Sequence, residues 1–482
     1  MFRLRGMFLA TAVSAVLSAT LTVPATAAPT DEVEVKTFNL PQGTQLTVDN
    51  FDTFQPDPWL TPDEVHRRRY NQYYTIDSRQ FSDSAPQQKL AGDIWTECAQ
   101  RKIDRPGKPW VRDHYAFCIK GEIGFSRKET SVLGKKLVYE LTIPYTAVGI
   151  GSKNERKVDL NIHLHTDKIK RDDPEGKMPP DPVLDMEIFC KDLFTDGDPA
   201  AAKTCTVNNN QPGVPATITR RLSELMSAPS DYAFTFTSDD SQAGWSPTQV
   251  QRSGPEKVVA SNIGMGFHWS GSTGTPSGIN GFQTSARFDS ADYLKYGSDP
   301  GVGGQGAVFY DVIPSIEYRV GDTEVSEIAQ HIWDALNAPD RTVPLNPNKW
   351  VPGGSNNEDD TLARLRWNRT VTPWVPWGDE VGRIADNRRK ALDVCERNEG
   401  AGEPGPGKQC DEFPFARTFQ GAAHSDYDPV APLNWSARWV DGDQNVAAGS
   451  RLGRWFGNDR ILDWSYDGRL QDDFFVRVPD GS

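Results

Sequence analysis

Six cysteines, each with one near neighbour, constrain this chain more than any other feature. Cys98 and Cys118, Cys190 and Cys205, and Cys395 and Cys410 form three local couples separated by long cysteine-free stretches. Six thiols permit many complete pairings, but loop-closure entropy favours joining near neighbours first. We expect Cys98–Cys118, Cys190–Cys205 and Cys395–Cys410, each contributing about 3 kcal/mol by constraining the unfolded chain. Zinc is the competing use of six cysteines, and the sequence holds no C-x2-C spacing to bind it.

Disulfides call for an oxidising compartment, and the first residues supply a route to one. Arg3 and Arg5 precede an apolar run from Met7 to Val23, and Ala25-Thr26-Ala27 follows. Basic start, short apolar core and A-x-A make a secretory signal. We expect residues 1–27 to be removed and the protein to be extracellular. No later run is long and apolar enough to span a bilayer, so no membrane contact is expected after cleavage.

A chain of 482 residues exceeds one compact core, which predicts several domains. Its net charge of −14 excludes a surface coated with phosphate-binding Lys and Arg. A nucleic-acid role therefore needs a local site. Residues 28–90 read as a polar leader with one helix over 62–70. From 91 to 320 the pattern is period two: Leu137, Tyr139, Leu141 and Ile143, then Val158, Leu160, Ile162 and Leu164, then Tyr232, Phe234 and Phe236. Such alternation, punctuated by turn residues, predicts an antiparallel sandwich-like domain. His163 and His165 share a strand face there, but no third ligand at a telling spacing accompanies them.

Residues 321–377 read as a helix over 323–337, capped by Asp322, and a Pro/Gly-rich linker. Residues 378–482 form a last unit that begins with a helix over 380–394. The fold class expected is thus multidomain: a mainly β, sandwich-like N-terminal domain plus a small α+β C-terminal domain. G-x-S-x-G, H-E-x-x-H and Walker A patterns are all absent from the sequence.

The chemistry-bearing segment is Cys410-Asp411-Glu412-Phe413-Pro414-Phe415-Ala416-Arg417-Thr418. In an extended strand Asp411 and Arg417 leave one face and Glu412 the other, unless a bulge at Pro414 turns Glu412 round. Asp443 to Phe456 then reads as a helix capped by Asp443, with Ala448, Leu452, Trp455 and Phe456 on one face and Gly457-Asn458 at its end. A closing strand covers Phe474 to Val478. Each part alone is an ordinary structural feature.

Together, Asn387-Arg388-Arg389-Lys390-Ala391, Cys395, the 410–418 motif, Asn445 and Gly449 resemble the secreted bacterial NucA/NucB deoxyribonuclease family over about 378–482. The 91–320 region is similar to the β-rich part of longer secreted members. That resemblance implies a ββα-metal nuclease, with its site between a β-hairpin and a helix and one divalent cation, Mg2+ or Mn2+, hydrolysing extracellular DNA with little sequence preference. It implies Asp411 as general base, Asn445 and Glu412 as metal ligands, and Arg417 on the scissile phosphate. Gln444 stands where many relatives carry an acidic residue, so it supports the site without neutralising the cation. The last unit holds 13 basic against 19 acidic residues. DNA binding is therefore expected from a local set, Arg388, Arg389, Arg451 and Arg454 with Arg417. A monomer is expected, and the N-terminal domain's partner is left open. The rival reading is a secreted binding or surface protein whose nuclease-like module has lost activity.

Overall fold

A computed structural model describes residues 32–83, 93–101, 108–195, 204–227, 230–239, 257–272, 278–295, 301–365, 380–397, 400–427, 433–463 and 471–479. The expected signal segment and linker residues 366–377 lie outside them.

The chain is mostly β. Strands Ala116–Ser131 and Gly134–Gly151 form one long antiparallel hairpin, extended by Glu32–Leu40 on one side and by Lys157–Leu164, Asp231–Ser238 and Cys205–Val207 on the other. A five-stranded sheet runs Ala216–Arg221, Val183–Thr195, Val259–Trp269, Gly281–Asp289 and Gly306–Phe309. Alternating residues from both sheets fill one core: Phe117, Tyr145 and Leu160 from the first meet Met186, Ile188, Met265 and Phe282 from the second. Period-two patterning therefore does what the sequence predicts. All three expected disulfides form, with Cα–Cα separations of 5.8, 5.7 and 6.2 Å.

Two expectations need correction. The described part of the polar leader, residues 32–83, is part of the fold. Glu32–Leu40 pairs along its whole length with Ala116–Ser131, and the expected helix is there at Pro62–Arg69, capped by Thr61. The leader's apolar residues are few, but Phe38, Leu40, Phe51 and Val65 are all buried. The described part of the linker is packed as well. Val343, Val351, Leu362 and Leu365 are buried, and Gly353, at φ +110°, sits where a Cβ would press on Leu362 at 2.9 Å.

A four-stranded mixed sheet binds distant parts of the chain. Ile313–Glu317 pairs in parallel with Tyr73–Asp77 on one side and Asp473–Arg477 on the other, and Leu362–Ala363 joins the far edge. Its core draws Ile316, Tyr318, Ile328, Ile332, Phe413, Trp455 and Phe474 together. Buried ion pairs add to the union. Arg460 pairs with Asp289, and Arg287 with Asp472, all nearly or fully excluded from solvent. Burial works against the Asp289 carboxylate, but Arg460 and Arg287 hold it below its usual range.

Helix Ser326–Asn337 starts a turn later than expected. Its N-cap is Val325, and Asp322 is held by Arg451. Helix Glu380–Glu396 and helix Gly442–Asn458 follow. The latter is capped by Asp441, not Asp443: the Asp441 carboxylate accepts from the backbone N–H of Asp443 and Gln444, each at 3.1 Å.

Candidate active site

The 410–418 motif lies on a two-stranded hairpin, Lys408–Phe413 against Ser436–Asp441, in unbroken antiparallel register. No bulge occurs within it, so neighbouring side chains take opposite faces. The strand ends at Phe413, and the peptide preceding Pro414 is cis. Helix Glu380–Glu396 covers one face, anchored by the disulfide from Cys395 to Cys410. Helices Ser326–Asn337 and Gly442–Asn458 cover the other. Asp411 and Glu412 are therefore not brought together as one carboxylate pair.

Asp411 enters a closed network. The His331 ring donates from Nδ1 to Asp411 Oδ2 at 2.7 Å, and in the neutral ring its Nε2 accepts the Ser436 hydroxyl at 2.7 Å. Serine, histidine and aspartate stand in the bonding order of a hydrolase triad. Ser436 and His331 are both 0% exposed, however, so no substrate reaches the hydroxyl. Nothing in the sequence pointed to His331. It sits within an apolar helical stripe, and its partners lie 80 and 105 residues away.

The other helix-side expectations meet the same closure. Gln444 Oε1 accepts the backbone N–H of Glu327, so Gln444 serves the start of helix Ser326–Asn337. Glu327 in turn accepts the Asp441 N–H at 2.7 Å and pairs with Lys408 at 2.8 Å. Asn445 donates to Gln409 at 3.2 Å. Gln409 shares its strand face with Asp411, opposite Glu412. The expected metal pair, Glu412 with Asn445, thus lies on two sides of the strand. Among the described residues, no three His, Cys, Asp or Glu side chains converge as a metal cluster.

Glu412 is an unsatisfied carboxyl of the hairpin. Its carboxyl is buried, and Oε2 has no hydrogen-bond partner. Burial, and then the nearby Asp411 carboxylate, push its pKa up to about 8, although Arg388 pulls the other way. Arg417 follows the strand, half-buried, with its guanidinium near Gly453 of helix Gly442–Asn458, and it makes no hydrogen bond or ion pair among the described residues. Its pKa is lowered by burial and then by the like charges of Arg364 and Arg388. Arg388 thus acts on both the Glu412 carboxyl and the Arg417 guanidinium, and with Arg364 these arginines form a local positive site on an acidic protein. Asn387 builds the loop that presents Arg417: its side chain donates to Ala416 O at 2.9 Å and accepts from Ala423 N at 2.8 Å.

The remaining arginines divide. Arg388 and Arg389 are exposed on helix Glu380–Glu396, with Arg389 paired to Asp386. Arg451 is buried and clamped by Asp322 and Glu324, and Arg454 is spent on Phe81 O and Asp83. These last two hold the helix to earlier parts of the chain, which corrects their assignment to DNA.

No curated protein and no solved structure matches the chain. The family model for deoxyribonuclease NucA/NucB does match, over residues 379–463. That span contains the hairpin, the disulfide, Glu412, Arg388 and Arg417, while His331 lies before it. The C-terminal region of this chain carries a NucA/NucB-type deoxyribonuclease domain.

Proposed function

We propose that the protein is a secreted deoxyribonuclease that hydrolyses DNA phosphodiesters on the Glu412–Arg388–Arg417 side of its hairpin. The observation that carries this reading is a buried Glu412 carboxyl oxygen without a partner, acted on by the Arg388 guanidinium, inside the span that matches the deoxyribonuclease family model. Arg417 and Arg388 hold the non-bridging oxygens of a phosphate by charge-assisted contacts. They also neutralise charge as phosphorus becomes five-coordinate. Glu412 takes the proton of the attacking water, a role for which a raised pKa suits a carboxylate. Asp411, tied to His331, is a positioning residue that fixes the strand behind Glu412.

Once uncovered on DNA binding, the Glu412 carboxylate would also fit a hydrated Mg2+ or Mn2+, ions that keep several waters and share a site with substrate phosphate. Bound there, the cation would supply further neutralisation of the phosphate. Three disulfides support an extracellular home. Among the described residues, no helix is long and apolar enough to cross a membrane.

A second reading has its own observation. Asp411 and Gln444 are both committed to helix Ser326–Asn337, which favours a DNA-binding module without catalysis. Plasmid digestion by the full chain with Mg2+ or Mn2+, with and without EDTA, separates the two. Cleavage that disappears in EDTA supports the cation-assisted hydrolase. DNA retention with no cleavage under any condition leaves the binding module.

A further inference from the structure

Far from the hairpin, the five-stranded sheet carries an open cavity of about 760 Å3 on its outer face. That lies within the range of about 300–1,000 Å3 typical of small-molecule sites. Leu184, Met186 and Ile188 point into the core, so Asp185, Glu187 and Phe189 point outward into the cavity. His268 and Thr217 from the flanking strands and Asn280 complete the polar lining. Gly266 leaves the floor bare. A Cβ there would meet only Ile279, at 3.9 Å, so side chains do not fill the space.

Trp59 forms a wall of this cavity, 41% exposed. A tryptophan left in water forfeits much of the burial energy it offers, yet this one is held firmly. Asp57 and Ile279 exchange backbone hydrogen bonds of 3.0 and 2.7 Å. The buried Gln283 amide donates to Pro58 O at 2.6 Å and accepts from Leu60 N at 3.1 Å, bracketing Trp59 on both sides. Phe189 packs edge-on to the indole, with centroids 4.9 Å apart. The ring is fixed before any ligand arrives.

We propose that this groove binds an uncharged, hexose-based glycan, with Trp59 as the stacking platform and Asp185, Glu187, His268 and Asn280 as partners of its hydroxyl groups. The lining selects the class. A sugar ring presents an apolar C–H face to an indole and a rim of hydroxyl donors to carboxylates and amides. Asp185 already accepts from Thr219 at 2.6 Å, which orients it. Glu187 is exposed and has no partner among the described residues. Two carboxylates repel DNA, uronic acids and sulfated chains. The site is independent of the nuclease reading and shares no residue with it.

Isothermal titration of the full chain with cellohexaose, chitohexaose and, as a cationic control, spermidine tests the assignment. Binding of either sugar is expected, weakened by roughly tenfold or more in Trp59→Ala and several-fold in Glu187→Gln. Both variants should keep plasmid cleavage, since both positions are remote from Glu412; Glu187→Gln should keep the wild-type melting temperature, and Trp59→Ala, which loses the Phe189 contact, should stay folded at the assay temperature. No heat from either sugar at millimolar concentration would overturn the proposal, as would sugar binding that Trp59→Ala leaves unchanged. Spermidine binding in place of sugar would make the groove a cation site and equally overturn it.

Discussion

The two faces of the strand Lys408–Phe413 make an instructive pair. On one, Asp411 is held through Oδ2: His331 bonds to it, Ser436 bonds to His331, and both partners are sealed from water. On the other, one residue along, Glu412 has a buried oxygen that nothing satisfies, under the opposing influences of Asp411 and Arg388. Native structures rarely leave a buried polar atom unpaired. The closed face is built for stability. The open face keeps an energetic cost that binding or catalysis can use.

The sharpest way to break this comparison is Glu412→Gln. It keeps shape but removes the basic oxygen, so cleavage should fall by roughly a hundredfold or more at a melting temperature no lower than that of wild type. A variant that still cuts DNA normally would move the chemistry off the open face. His331→Ala tests the other side. It strands Asp411 and Ser436 together and opens a small void, at an expected cost of about 3 kcal/mol. Thermal melts should show a lower midpoint, while cleavage per folded molecule stays within a few-fold. An unshifted melt with abolished cleavage would make the closed face catalytic.

Acid and base should pull on the fold in opposite senses. The Asp289 pKa is depressed in the folded state, so its contribution is present above its unfolded value and is lost as pH falls through the folded one. The Glu412 pKa is raised, so its contribution is full below the ordinary value of 4.5 and is lost as pH rises toward about 8. Melting temperatures in EDTA should therefore carry a declining contribution between pH 4.5 and about 8 in wild type, and that contribution should vanish in Glu412→Gln. An identical slope in both proteins would contradict the burial of an unpaired carboxyl. The smallest expected effect is that of Arg417→Ala. Losing one phosphate contact should raise the DNA concentration needed several-fold and reduce the salt slope of binding by about one. Unchanged salt dependence would place Arg417 away from DNA.

Local signals were readable in the sequence and distant ones were not. Short loops selected the three disulfides, and 3.6-residue periodicity found the helices that became Ser326–Asn337, Glu380–Glu396 and Gly442–Asn458. Alternation found the sandwich strands. The 410–418 motif pointed to Asp411, Glu412 and Arg417, but their faces depended on a register that Pro414 left ambiguous. Arg451 and Arg454 looked free because charge in a sequence does not show its partner. Asp322 and Asp83 lie well over a hundred residues away. His331 was hidden for the same reason. The proline-rich stretch after residue 338 read as a linker because Val343, Val351 and Leu362 are too irregularly spaced to reveal what buries them.

The parallel pairing of Ile313–Glu317 with both Tyr73–Asp77 and Asp473–Arg477 also sets an order of assembly. A chain emerging from its N-terminus completes the sandwich early. The middle strand of the mixed sheet then keeps a bare edge until almost the last residues arrive. Pairings across such sequence separation form slowly, so the final strand works as a latch. Trp455 and Phe456, which pack on Phe474, cannot settle before it closes. The hairpin that carries Glu412 shares that core through Phe413 and Val440, so it settles late and unfolds together with it.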